Sequence, residues 1–133
     1  MKKVFVNGTF DIIHRGHIEL LNYAKSLGEF LYVGIDTDER VRQLKGHTRP
    51  VNSLEERMFM LQNLKAVDYV LDFSSDKALE GLAKIIKPDI MIVGSDYKNK
   101  RVIGSEYAKQ LLFFDRIDEY SSTKIIQGII NRG

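Results

Sequence analysis

The sequence predicts an α/β fold: a doubly wound parallel sheet of about five strands with helices on both faces. Three observations carry this. Short apolar runs alternate along the chain with longer amphipathic segments. The runs, Val4-Phe5-Val6 and Ile90-Met91-Ile92-Val93 among them, are apolar throughout, the pattern of strands buried on both faces. Conspicuous polar motifs fall at or just beyond the ends of those runs, where open α/β sheets hold ligands.

Taken in order, Lys3–Val6 is the first strand and His17–Ser26 the first helix. Ile18, Leu20, Leu21 and Ala24 form that helix's apolar face, and Gly28 is its stop. Phe30–Ile35 is the second strand, and Asp36-Thr37-Asp38 starts a helix running to about Arg42. Leu44–Asn52 is polar, contains Gly46 and Pro50, and reads as a loop. Ser53 and Glu56 match a capping box opening a helix to about Leu64, with Met58, Leu61 and Leu64 on its buried side. Tyr69–Phe73 is the third strand, and Asp76 caps a helix that reaches Ile86 and stops before Pro88. Ile90–Val93 and Leu111–Phe114 are the fourth and fifth strands, and a last helix spans about Ser122 to Ile130. Right-handed crossovers place the carboxyl ends of these strands along one edge, a Rossmann-like arrangement.

At 133 residues the chain is expected to form one domain, residues 1–133, with a core of its own. A formal charge of +2 gives no field that would imply nucleic acid as partner. The absence of cysteine removes disulfides, thiolate catalysis and cysteine-bound zinc, and fits a cytoplasmic protein. Val4-Phe5-Val6 is broken at once by Asn7-Gly8 and Asp11, so no signal peptide is expected, and no stretch is long enough to span a membrane.

The most telling stretch is Gly8-Thr9-Phe10-Asp11-Ile12-Ile13-His14-Arg15-Gly16-His17, between the first strand and the first helix. Free N–H groups and the helix dipole make such a junction a phosphate site. His14 and His17 share one face and can converge on one phosphate. Gly8 makes the turn, Thr9 and Phe10 offer backbone N–H groups, and the Thr9 hydroxyl adds a donor. Asp11 is read as a buried acceptor fixing the turn, with capping and ligand contact standing as equal alternatives. Ser121-Ser122-Thr123 before an apolar helix form a cap with spare donors. Lys45 and Arg49 give the polar loop two cations, Arg49 either facing phosphate or pairing with a carboxylate such as Glu56. At the end of the fourth strand, Gly94 lets a nucleobase or ribose approach, and Asp96 accepts from a sugar hydroxyl or the base.

The decapeptide Gly8–His17 resembles the signature of the cytidylyltransferase-like nucleotidyltransferases. The resemblance implies that His14 and His17 stabilise charge as a nucleotide α-phosphate is attacked and pyrophosphate leaves. The stretch Arg116–Lys124 is similar to that family's Arg-Thr-x-Gly-Ile-Ser-Thr-Thr motif, with Glu119 and Tyr120 in place of the glycine and isoleucine. By that match Arg116 grips phosphate, and Ser121, Ser122 and Thr123 line the nucleotide site. Leu44-Lys45-Gly46-His47-Thr48-Arg49-Pro50-Val51-Asn52 resembles a segment of the D-glycero-D-manno-heptose 1-phosphate adenylyltransferases, which implies that Lys45 neutralises phosphates of nucleotide or acceptor. Gly94-Ser95-Asp96-Tyr97 is similar to their Gly-Gly-Asp-Tyr, Ser95 being the departure. Val102-Ile103-Gly104-Ser105 follows as in the same family, although it also reads as an apolar stretch ending in a turn.

The resemblance implies transfer of AMP from ATP to a heptose 1-phosphate, with Mg2+ accompanying the triphosphate and the chain acting as a homodimer. Similarity to the glycerol-3-phosphate cytidylyltransferases keeps CTP and an alcohol phosphate as the alternative. Archaeal FAD-forming enzymes are a third member of the same chemistry. A non-catalytic nucleotide-binding module is the alternative of another class.

Overall fold

The computed structural model describes residues 1–115. Five parallel strands form one sheet: β1 (Lys3–Gly8), β2 (Phe30–Asp36), β3 (Tyr69–Phe73), β4 (Ile90–Gly94) and β5 (Gln110–Phe114), in the order β3-β2-β1-β4-β5. The chain winds outward from β1 to β3, then returns past β1 to β4 and β5. The strand order therefore reverses between β1 and β4, the switch point at which doubly wound sheets open a crevice.

Helix α1 (Arg15–Ser26) joins β1 to β2, and α4 (Asp76–Ile86) joins β3 to β4. Between β2 and β3 lie α2 (Asp38–Lys45) and α3 (Leu54–Gln62). Alternation along β1 divides the core between the two sheet faces. Val4 and Val6 pack with Leu21 and Ala24 of α1 and Leu61 of α3, whereas Phe5 packs with Leu79 and Ala83 of α4. Val4, Phe5 and Val6 are all within 1% of complete burial. Each such side chain is worth about 1.5–3 kcal/mol relative to exposure, which makes β1 the anchor of the sheet. Val102, Ile103 and Tyr107 pack over the α4 face, so the stretch after β4 is core structure.

The predicted strands are all present, but several helix boundaries differ from expectation. α1 begins at Arg15, not His17, because the His14 side chain caps it. α2 continues past Arg42 to Lys45, stopping at Gly46 with φ +98°. Arg42, Gln43, Leu44 and Lys45 are good helix formers, and all four are exposed on a helix end, not a loop. α3 ends at Gln62, short of Leu64. The cap of α4 is Ser75, whose side chain accepts from the Ala78 N–H at 3.1 Å; Asp76 is the first helical residue. The helix expected over about Ser122 to Ile130 lies outside the described residues.

Asp68 ties three elements together where β3 begins. One carboxylate oxygen accepts from the Leu31 N–H at 2.7 Å and from Lys25 Nζ, at the end of α1, at 2.6 Å. Partial burial pushes this carboxyl up, but Lys25 and the Leu31 N–H together hold it below its ordinary value of 3.8. A carboxyl lowered by folding binds fewer protons in the native state than in the unfolded one. Its stabilisation is complete above the ordinary value and is lost as pH falls through the lower native value. Asp68→Asn is therefore expected to lower the unfolding free energy at neutral pH and to flatten its fall on the acid side. Denaturation curves between neutrality and the acid limb check this, and an unchanged acid slope would remove Asp68 from the account.

Candidate active site at the sheet switch point

Gly8 ends β1, and the chain turns sharply. A Cβ on Gly8 would lie 3.1 Å from the ring of Phe10, so glycine there lets that ring fold back beneath the turn. Phe10 is buried, with its ring centroid 5.2 Å from that of His17, so its side chain supports the imidazole from below. Phe10 and Ile12 have φ of 51° and 50°, left-handed conformations. Each costs about 1–3 kcal/mol, and such strain persists only where surrounding contacts over-determine it.

Asp11, between the strained pair, supplies one such set of contacts. It is 3% exposed, and its two oxygens accept from the Val51 N–H at 2.7 Å and the Asn52 N–H at 2.9 Å. Asp11 thus fixes the turn as a buried acceptor, and its donors belong to the far end of the polar loop.

The two histidines organise the start of α1. Nδ1 of His14 accepts from the Gly16 N–H at 3.1 Å, and Nδ1 of His17 accepts from the His14 N–H at 3.3 Å, a reciprocal cap. A nitrogen that accepts carries no proton, so the ring hydrogen of each imidazole sits on Nε2. Both rings become donors on the side away from the backbone. They stack with centroids 3.8 Å apart and planes inclined by 25°. The first turn of α1 contains no acidic residue to oppose an anion at its dipole.

Around this turn runs a network that the sequence did not announce. The Thr9 hydroxyl donates to Asp36 Oδ2 at 3.2 Å, so its proton is directed at the end of β2. Asp36 Oδ1 accepts from Arg40 Nε at 2.8 Å, and Arg40 Nη2 reaches Asp76 of α4 at 2.7 Å. Arg57, on α3, is 1% exposed and donates to the carbonyls of Thr9 (2.9 Å), Asp36 (2.8 Å) and Asn52 (3.0 Å) and to Asp38 Oδ1 (2.6 Å). The available signal was position: Arg57 lies within the apolar stripe of Leu54, Met58 and Leu61, the face that the helix turns toward the core.

The structure thus gathers Gly8, Thr9, Phe10, Asp11, His14 and His17 in one turn beside the switch point. The register Val6↔Ile92 brings Gly94, at the end of β4, to the same sheet edge, and Asp96 lies in the short turn Ser95–Tyr97 that follows. Lys45 closes α2, on an exposed stretch running from Arg42 to Thr48. Arg116, Ser121, Ser122 and Thr123 lie outside the described residues. A cleft of about 190 Å³ beside the turn is lined by Phe10, Ile12, Ile13, Asn52, Glu56, Arg57 and Met60. It is smaller than the roughly 300–1,000 Å³ of sites for drug-sized ligands. Among the described residues no group of three His, Asp or Glu side chains is placed to hold a metal, and no helix is long and apolar enough to cross a membrane.

A doubly wound sheet with paired imidazole donors at a helix start, beside its switch point, has the architecture of the nucleotide-handling class of α/β proteins. Comparison with known proteins makes the class specific: the cytidylyltransferase-like family model matches residues 5–128, and the chain belongs to this family of nucleotidyltransferases. It is 48% identical over 128 residues to the bifunctional protein HldE of Helicobacter hepaticus, an alignment covering 96% of this chain and 26% of that protein. With HldE of Sulfurimonas denitrificans the identity is 49%, covering 96% and 27% respectively. The chain therefore spans about a quarter of the length of these relatives. Among solved structures, the lipopolysaccharide core biosynthesis protein from Thermoplasma volcanium superposes with a TM-score of 0.72 at 27% identity, covering 86% of this chain and 98% of that one. Pantothenate synthetase from Thermus thermophilus shares the fold alone, with a TM-score of 0.58 at 15% identity, covering 84% of this chain and 55% of its own.

Proposed function

We propose that this chain catalyses transfer of AMP from ATP to a heptose 1-phosphate, giving ADP-heptose and pyrophosphate. The observation that carries nucleotidyl transfer is the stacked pair His14 and His17, both donating through Nε2 beside the switch point. The heptose assignment rests on the 48–49% identity to the two HldE proteins and on the loop around Lys45.

In the proposed reaction a phosphate oxygen of the sugar attacks the α-phosphorus of ATP in line. The bond to the bridging oxygen of the β-phosphate breaks, and pyrophosphate leaves with that electron pair. His14 and His17 donate to the α-phosphate oxygens as negative charge builds there. Gly8, Thr9, Phe10 and Asp11 form the turn that receives the phosphates, and Lys45 and Arg116 neutralise them. By the second motif Ser121, Ser122 and Thr123 are assigned to the triphosphate, and Gly94 and Asp96 to the nucleoside. Mg2+ would accompany the triphosphate as part of the metal–nucleotide substrate. A cytoplasmic homodimer is the setting we assign to this activity.

The test is pyrophosphate release with magnesium, crossing ATP and CTP against heptose 1-phosphate and glycerol 3-phosphate. Turnover with ATP and the heptose phosphate alone is expected. Turnover with CTP and glycerol 3-phosphate keeps the mechanism and overturns the substrate assignment. Nucleotide binding without release in any pair overturns the heptose reading and favours an untried acceptor or a non-catalytic nucleotide-binding module.

A further inference from the structure

The four hydrogen bonds of Arg57 are spent at the carboxyl edge of the sheet, and two of them define a segment. Asp38, bound through its side chain, is the first residue of α2. Asn52, bound through its carbonyl, precedes the cap of α3. One guanidinium thus holds both ends of the excursion from residue 38 to residue 52. The same group grips the carbonyls of Thr9, in the phosphate turn, and Asp36, at the end of β2. Asp11 adds a second tie from that turn to the excursion, through Val51 and Asn52.

The base and the apex of this excursion differ sharply. Val41 is buried at 1% exposure, while residues 42–48 are exposed and Leu44 keeps 64% of its surface in solvent. Lys45 stands on that apex. A methionine of similar length would fill the space under the turn but leave four acceptors without their donor. A buried cation is a costly way to fill space. Its value here lies in geometry, because a planar fork can hold several acceptors in fixed directions whereas an ammonium is a point charge.

We propose that Arg57 is a positioning residue for nucleotidyl transfer: it sets the 38–52 excursion, and with it Lys45, against the phosphate turn that carries His14 and His17. This rests on the function proposed above, and two measurements keep the failures apart. The first needs no substrate. In Arg57→Lys, amide exchange at Val51 and Asn52 is expected to quicken about tenfold or more as local opening becomes easier, with exchange in β1 and β4 unchanged. Unchanged exchange at Val51 and Asn52, or an equal rise everywhere, overturns the proposal. Should Arg57→Lys fail to fold, Asp38→Ala removes one anchor while leaving the guanidinium in place, and the same comparison applies.

The second measurement is a cycle with Lys45→Ala, read as pyrophosphate release. A misplacement of about 1 Å can cost 10²-fold in rate, so Arg57→Lys is expected to lower kcat on that scale with the nucleotide KM little changed. If Arg57 acts through Lys45, most of that loss disappears in the Lys45→Ala background. Costs that multiply to within a factor of about 2 mean independent action and overturn the proposal. A wild-type chain that never releases pyrophosphate overturns the proposed reaction instead, and exchange alone then decides whether Arg57 holds the excursion.

Discussion

His17→Ala is expected to lower kcat by about 10²–10³, the cost of losing one donor aimed at developing charge. The substitution removes the Nε2 donor, the ring stacked on His14 and the acceptor of the His14 N–H together. His17→Gln separates these effects. A glutamine at the third helical position accepts from the capping residue's N–H, as in an ordinary capping box, so the start of α1 is kept and the imidazole alone is lost. Both variants should show the same collapse in turnover. Only His17→Ala should also lose stability, by about 1 kcal/mol, the usual worth of a helix cap. Steady-state pyrophosphate release and urea unfolding on the same preparations decide between these roles. Near-normal kcat in His17→Gln would reduce His17 to a helix cap and leave the donor role without support.

Asp11→Ala carries the largest expected stability loss, about 2–4 kcal/mol. Hydrogen bonds to an ionised group contribute roughly 1.5–3 kcal/mol each, and Asp11 makes two from a buried position. Water reaching the freed amides at the sheet edge recovers part of the sum. The loss should also reach the chemistry, because the left-handed Phe10 and Ile12 on either side of Asp11 relax once the carboxylate no longer holds the turn. The denaturant midpoint should fall with an unchanged slope, the sign of lost stability without a change in the surface exposed on unfolding. Asp11→Asn, which keeps one acceptor oxygen, should fall between. A midpoint within error of the wild type in Asp11→Ala would mean that the strained turn is held by other contacts.

The strands and the turn after β1 were legible because their signals are local. Apolar runs such as Val4-Phe5-Val6 declare strands buried on both faces, and Gly8-Thr9-Phe10-Asp11 declares a turn through its residue types. The histidine spacing by itself places two imidazoles on one face. Boundaries were read less well where two signals competed. The end of α2 has the composition of a loop and the propensity of a helix, and propensity prevailed up to Gly46. His14 was read as a ligand-facing side chain, but its Nδ1 is also the cap of α1, a role seldom filled by histidine.

By itself, the sequence determined the fold class, the strand positions and the place of the turn between β1 and α1, because propensity, apolar periodicity and turn chemistry act over a few neighbouring residues. Tertiary structure alone decided how that turn is held. Asp11 meets donors 40 and 41 residues away, and Arg57 reaches back 48 residues to Thr9. A buried charge declares that it needs partners, and only the folded chain, by bringing distant backbone groups to one edge of the sheet, determines which they are.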